Sequence, residues 1–189
     1  KYLENLTGVD VEIKGVQVRS FGKNISIESI RFANPAAFNG PTLAKVSNVS
    51  ILSRKSPCFG NKQFERVSAT IDEIHVEQNA ASEVNLSQLK PVSEKELALP
   101  SLPPAGDFRI GRLELKFGKI DYVEPVVGEG VESRTEVDFQ GRTELYENVR
   151  HPYVLIQAPA AKVIDAFNKG SLGMPRGKLA ETLEKTTGA

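Results

Sequence analysis

Val9-Asp10-Val11-Glu12-Ile13-Lys14, Gly15, then Val16-Gln17-Val18-Arg19 places an apolar side chain at every second position on either side of a single glycine. Successive side chains leave a strand on opposite sides, so this period predicts a pleated strand with one apolar face. Gly15 interrupts the alternation and predicts a bulge or bend. Downstream, Phe21-Gly22-Lys23-Asn24 supplies residues that tolerate positive φ. Alternation then resumes in Ile25-Ser26-Ile27-Glu28 and Ile30-Arg31-Phe32. The two runs predict a hairpin. Asn34-Pro35 must leave the ladder, because Pro35 has no amide hydrogen to donate.

The same period continues along the chain. Residues 43–52 carry Val46, Val49 and Ile51, a third strand. Residues 64–78 carry Val67, Ala69 and Ile71, then Ile74 and Val76. The phase moves by one at Asp72-Glu73, as a β-bulge would move it. Asn85 offers an N-cap for a short helix, and Pro91, Pro100, Pro103 and Pro104 mark residues 91–107 as a linker or extended edge segment. Leu113, Leu115 and Phe117, a Gly118-Lys119 turn, and Ile120 with Tyr122 predict a second hairpin. It echoes the first in its Phe-Gly-Lys step. Residues 131–146 and 153–156 predict two more strands. Pro159 opens a helical pattern through Val163, Ile164 and Phe167, and Pro175 opens another with Leu179 and Leu183. The expected fold is mainly β (α+β): an antiparallel, curved or elongated sheet of hairpins with one or two C-terminal helices. Its parts are a β module at 1–90, the segment 91–107 and a hairpin region at 108–189, in one continuous domain.

Composition narrows the function. The 189 residues hold 24 basic and 24 acidic side chains with the signs interleaved. Nucleic-acid binding, which needs a basic surplus on some face, is not expected. One cysteine, Cys58, excludes an intramolecular disulfide. No apolar run is long enough to span a bilayer. Met174 is the only methionine, so the chain is expected to continue upstream of Lys1, where a signal peptide or anchor would lie.

The inventory for catalysis is thin. His75 and His151 stand in no metal-ligand spacing, and His75, between Ile74 and Val76, reads as a solvent-facing strand position. Gly128-Glu129-Gly130 and Arg176-Gly177-Lys178 lack the context of phosphate loops and read as turns. Glu12, Glu28, Asp72 and Glu73 fall on the polar phase of strands, where a solvated face explains them. Asn5, Asn24, Asn48 and Asn85 each begin an Asn-x-Ser/Thr triplet, which strand alternation generates by itself. No catalytic residue, metal ligand or cofactor is expected.

An ordered series of pieces carries a resemblance. They are Leu6-Thr7-Gly8-Val9-Asp10-Val11-Glu12-Ile13, then Ile25 to Phe32 followed by Ala33-Asn34-Pro35, Phe38 and Gly40-Pro41. Leu43-Ala44-Lys45-Val46, Ile71 to Glu77, and Asn85-Leu86-Ser87-Gln88-Leu89 follow in the same order. This series resembles the AsmA-like family of bacterial envelope proteins, relatives of TamB and of β-groove lipid-transfer proteins. Ala33 stands where Gly is commoner. The match covers about residues 3–90 and resumes at 109–121.

The resemblance implies a periplasmic or envelope location and an N-terminal transmembrane tether before Leu6. It also implies a curled sheet and a role in lipid handling or envelope homeostasis without catalysis. Its partners would be phospholipid, the inner-membrane surface or another envelope protein. The candidate lipid-facing or core stripe is Val9, Val11, Ile13, Val16, Val18, Ile25 and Ile27. Acyl chains on it would gain roughly 0.8 kcal/mol per buried methylene. The same stripe is what any sheet packs against its own helices, and for a chain this short that is the stronger reading of the stripe, because the terminal helices around Val163, Ile164, Phe167, Leu179 and Leu183 would cover it in a structural module with a filled core.

Overall fold

A computed structural model describes residues 4, 7–19, 23–53, 63–79, 81, 83–88, 108–125, 132–150, 158–159 and 162–163. Six strands form one sheet in sequence order: β1 (Val11–Arg19), β2 (Asn24–Ala33), β3 (Thr42–Ser53), β4 (Gln63–Glu77), β5 (Arg109–Pro125) and β6 (Glu132–Val149). The β1–β2 hairpin closes with Arg19 opposite Asn24. A 3-10 turn, Asn85–Gln88, follows β4 where the short helix was expected.

Two expectations are corrected. The sheet is mixed, because β4 and β5 pair in parallel, Gln63 beside Arg109 through Glu77 beside Val123. Parallel neighbours need a crossover of about a dozen residues or more, and residues 78–108 supply that length. The expected hairpin turn at Gly118-Lys119 is also absent. β5 runs unbroken through both residues, so the Phe-Gly-Lys echo ends a hairpin in one place and lies inside a strand in the other.

Matched phase breaks explain what Gly118 does. β4 and β5 both lose the alternation at two positions that face each other, Glu65 with Gly111 and Asp72 with Gly118. Neither glycine has room for a side chain. A Cβ would lie 2.8 Å from the Glu65 carbonyl oxygen at Gly111 and 2.2 Å from the Asp72 carbonyl oxygen at Gly118. Because both strands change phase together, Val67 and Ile71 stay beside Leu113 and Phe117 before the second break, and Ile74 and Val76 beside Ile120 and Tyr122 after it. All eight belong to one hydrophobic cluster. The predicted bulge is present, since β3 pairs Lys45 with Glu73 and Val46 with Ile71, which leaves Asp72 as the extra residue.

Apolar rows cross the sheet through these pairings. One runs Val18, Ile25, Ile51, Val67, Leu113, Tyr146; another runs Ile13, Ile30, Val46, Ile71, Phe117. β4 and β5 hold the buried centre, each full side chain there contributing about 1.5–3 kcal/mol. Ala158 and Val163 pack into the same cluster, and Lys162 pairs with Glu144 of β6.

Ala158, Pro159, Lys162 and Val163 are α-helical in backbone, too few to define the first predicted C-terminal helix. The second, the strand at 153–156, His151, Cys58 and both glycine motifs lie outside the described residues. Among the described residues no helix is long and apolar enough to cross a membrane.

Candidate functional site

Two features stand out: the expected apolar stripe, and a buried polar cluster that the sequence reading did not single out. The structure divides the stripe. Val9 is buried in the core cluster, while Val11, Ile25 and Ile27 are half-buried. Ile13, Val16 and Val18 are 45%, 56% and 56% exposed. Cross-strand pairing nonetheless keeps the last six together, Val11 with Phe32, Ile13 with Ile30, Val16 with Ile27 and Val18 with Ile25. Gly15 makes this possible at φ 66°, with the Glu28 side chain lying where its Cβ would be. Exposure rises along each row from β5 to β1, because among the described residues β1 is an edge strand with a hydrogen-bonded neighbour on one side only.

The polar cluster lies at the C-terminal end of β4. Ladder pairing of β3 to β4 ends at Ala44 with Ile74, leaving the β4 backbone beyond it without a strand partner on that side. Asn85, fully buried, takes over the role of the missing strand. Its Oδ1 accepts the Glu77 N–H (3.1 Å) and its Nδ2 donates to the His75 carbonyl (2.8 Å). Nδ2 also donates to Asn34 Oδ1 (2.8 Å). Full burial leaves no space for a glycan on Asn85.

Glu77, also buried, gathers the turn that follows β2. Oε1 accepts the Asn39 N–H (2.7 Å), and Oε2 accepts the Gly40 N–H (2.9 Å) and Asn34 Nδ2 (2.9 Å). The break that Asn34-Pro35 imposes on β2 thus brings Asn39 and Gly40 back over the end of β4.

His75 is not on the solvent-facing position expected for it. Its side chain is 17% exposed, with Nε2 3.5 Å from Glu77 Oε2 and Nδ1 3.0 Å from Asp121 Oδ2. Asp121 is its ladder partner on β5 and is buried. Arg134 of β6 grips Asp121 with two bonds, Nε to Oδ1 (2.6 Å) and an Nη to Oδ2 (2.8 Å). Bidentate guanidinium–carboxylate pairs are the stronger kind.

Burial pushes the Asp121 carboxyl up. The Arg134 and His75 hydrogen bonds outweigh that and hold it below the usual aspartate range. A carboxylate with a depressed folded-state pKa contributes stability above the ordinary value near 3.9, lost as pH falls through the lower folded value. Asp121→Asn is therefore expected to lower stability at pH 7 and to flatten the acid limb below about pH 4. Urea titrations of both proteins from pH 7 downward check this, and parallel pH profiles would refute it.

The arrangement joins three segments. His75 Nε2 faces a carboxylate whose oxygens already accept three hydrogen bonds. A shallow pocket of about 310 Å³ adjoins Glu77, lined by Ala37, Asn39, Gln78, Val123 and Glu132 among others. Among the described residues no group of three or more His, Cys, Asp or Glu is placed to hold a metal.

Of the acids expected on a solvated face, Glu12 and Glu28 are exposed, while Asp72 and Glu73 are half-buried. Asp72 accepts the Ser47 hydroxyl (2.8 Å), and Glu73 lies 3.8 Å from Lys119. Glu77 and Asp121 were missed because a strand's polar phase looks the same whether water or another part of the chain covers it. The one available signal was Asn34-Pro35, which forces the chain off the sheet near a conspicuously polar strand end. Compared with protein-family models, curated proteins and solved structures, the chain matches none.

Proposed function

We propose that the chain is a non-enzymatic module of the bacterial envelope, periplasmic and membrane-tethered, that handles lipid or serves envelope homeostasis. The observation that carries this reading is the exposed end of the apolar rows. Ile13, Val16 and Val18 continue the apolar surface of β4 and β5 beyond its covered part, and an exposed apolar patch marks an interaction surface for lipid or protein. The resemblance of residues 3–90 to AsmA-like proteins favours lipid.

A second reading has its own support. The rows at β4 and β5 are filled by the protein itself, with Leu113 and Val76 fully buried, as in a structural or protein-interaction module without a ligand.

Native mass spectrometry with lipid extraction separates them, using protein expressed in a bacterial envelope and purified gently. The lipid reading expects stoichiometric phospholipid, lost in Val16→Asp and Ile27→Asp variants that stay folded. A clean ligand-free mass for a folded protein would overturn it in favour of the interaction module.

A further inference from the structure

The two edges of the sheet are built differently. β6 is irregular, with positive φ at Gln140, Gly141 and Asn148, and carries five acids, Glu132, Glu136, Asp138, Glu144 and Glu147, against two arginines along its 18 residues. Backbone irregularity and like charge are how natural proteins keep an edge from pairing with another chain. β1 has one glycine break and otherwise presents a strand in which three of the four apolar side chains, Ile13, Val16 and Val18, are about half exposed.

The order of residues in β1 is self-complementary. Val11-x-Ile13-x-x-Val16-x-Val18 has the same apolar spacing read backwards. In one antiparallel register against a second copy, Val11 faces Val18, Ile13 faces Val16, Glu12 faces Gln17 and Asp10 faces Arg19, each pairing occurring twice about a two-fold axis. A shift of one residue sets Val16 against Glu12 or Lys14 instead. The favoured register places apolar against apolar as β2 does on the other side of the strand, Val11 with Phe32, Ile13 with Ile30, Val16 with Ile27 and Val18 with Ile25. It also sets the phase breaks together, since Ile13 and Val16 flank Gly15 in both copies. Matched breaks are what hold the rows together between β4 and β5.

We propose that β1 is a dimerisation edge: two copies of the chain pair β1 with β1 antiparallel, joining their sheets into one continuous sheet. Isologous two-fold association is the commonest form of self-assembly, and cross-strand apolar pairs are what stabilise adjoining strands. Asp10 and Arg19, both exposed, supply opposite charges at the two ends of the paired segment. The inference goes beyond the lipid reading and does not rest on it. An extended segment of another protein on this edge is the competing occupant.

Sedimentation velocity of the 189-residue chain at micromolar concentration is expected to give twice its 20.6 kDa mass. Ile13→Lys with Val16→Lys is expected to give the monomer. Its circular dichroism should be unchanged, because both side chains are about half exposed in the single chain, and its unfolding midpoint should fall and lose the dependence on protein concentration that a dimer imposes.

Register is tested by Ile13→Cys with Val16→Cys in a Cys58→Ser background. Three residues along a strand span about 10 Å, too far for a disulfide within one chain, whereas opposed residues of an antiparallel pair are within reach. Mild oxidation is expected to lock the dimer covalently, while Glu12→Cys with Val16→Cys stays uncrosslinked. A monomeric unmodified chain overturns the proposal and leaves the edge to another protein's strand. A dimer that persists in the double-lysine variant, or that crosslinks through the control pair, overturns it too.

Discussion

Glu77→Ala is expected to lower stability by about 3–5 kcal/mol, the upper range for a single substitution. Two backbone N–H groups, of Asn39 and Gly40, and the amide of Asn34 would lose their acceptor together, in a place where Glu77 is buried. A hydrogen bond to a charged group contributes about 1.5–3 kcal/mol, and water replaces part of what the three donors lose, since Asn39 is exposed and Asn34 and Gly40 are half-buried, so the expected cost lies below the sum of three such bonds. For a chain of this size, such a loss moves the unfolding midpoint by roughly 10 °C.

Glu77→Gln separates charge from geometry. It keeps one acceptor oxygen and turns an NH2 group toward at least one donor, so its cost should fall between those of Ala and the native residue. Hydrogen exchange supplies the local readout. The Asn39 and Gly40 amides should lose protection in Glu77→Ala out of proportion to amides in the middle of β5. Unchanged exchange at those two amides would mean that the turn is held by something other than Glu77.

The strand pattern of the sheet was legible wherever a local rule governs it. Alternation marked β1 to β4, the Gly22-Lys23-Asn24 step marked the first hairpin, and the single-residue phase shift at Asp72-Glu73 marked a bulge that the β3–β4 register contains. Strand direction was not legible at β4 and β5. Nothing in Val67 to Val76 or Leu113 to Tyr122 distinguishes parallel from antiparallel neighbours, and the 78–108 crossover that decides it carries no period.

Gly118 was misread for a related reason. A glycine followed by a lysine between two apolar runs reads as a turn, and only the adjacent strand shows that the glycine admits a backbone carbonyl. The polar cluster was the least legible part. Its hydrogen bonds join residues 8 to 51 positions apart, and Glu77 becomes an anchor only once the Asn34-to-Gly40 turn has closed over it.

Gly118→Ala tests the matched-break account of the core directly. The added Cβ would sit 2.2 Å from the Asp72 carbonyl oxygen and 3.0 Å from its carbon, both backbone atoms of the neighbouring strand. A flexible side chain could swing away from such a contact. β4 cannot, because moving Asp72 pulls Ile71 and Ile74 out of the rows that they share with Phe117 and Ile120. Overpacking usually costs about 1–3 kcal/mol, and a rigid neighbour on this scale of overlap puts the expected loss at about 3 kcal/mol or more.

Gly111→Ala meets the Glu65 carbonyl oxygen at 2.8 Å and should cost less. Gly141→Ala meets only the Lys116 side chain, at 2.7 Å, and its expense comes from the positive φ of 69°, about 1–2 kcal/mol. Thermal unfolding of the three variants should therefore rank Gly118 most damaging, then Gly111, then Gly141. If Gly118→Ala proved as mild as Gly141→Ala, β4 and β5 would not approach each other at Asp72. The in-register phase breaks would then no longer explain how one apolar face runs the length of both strands.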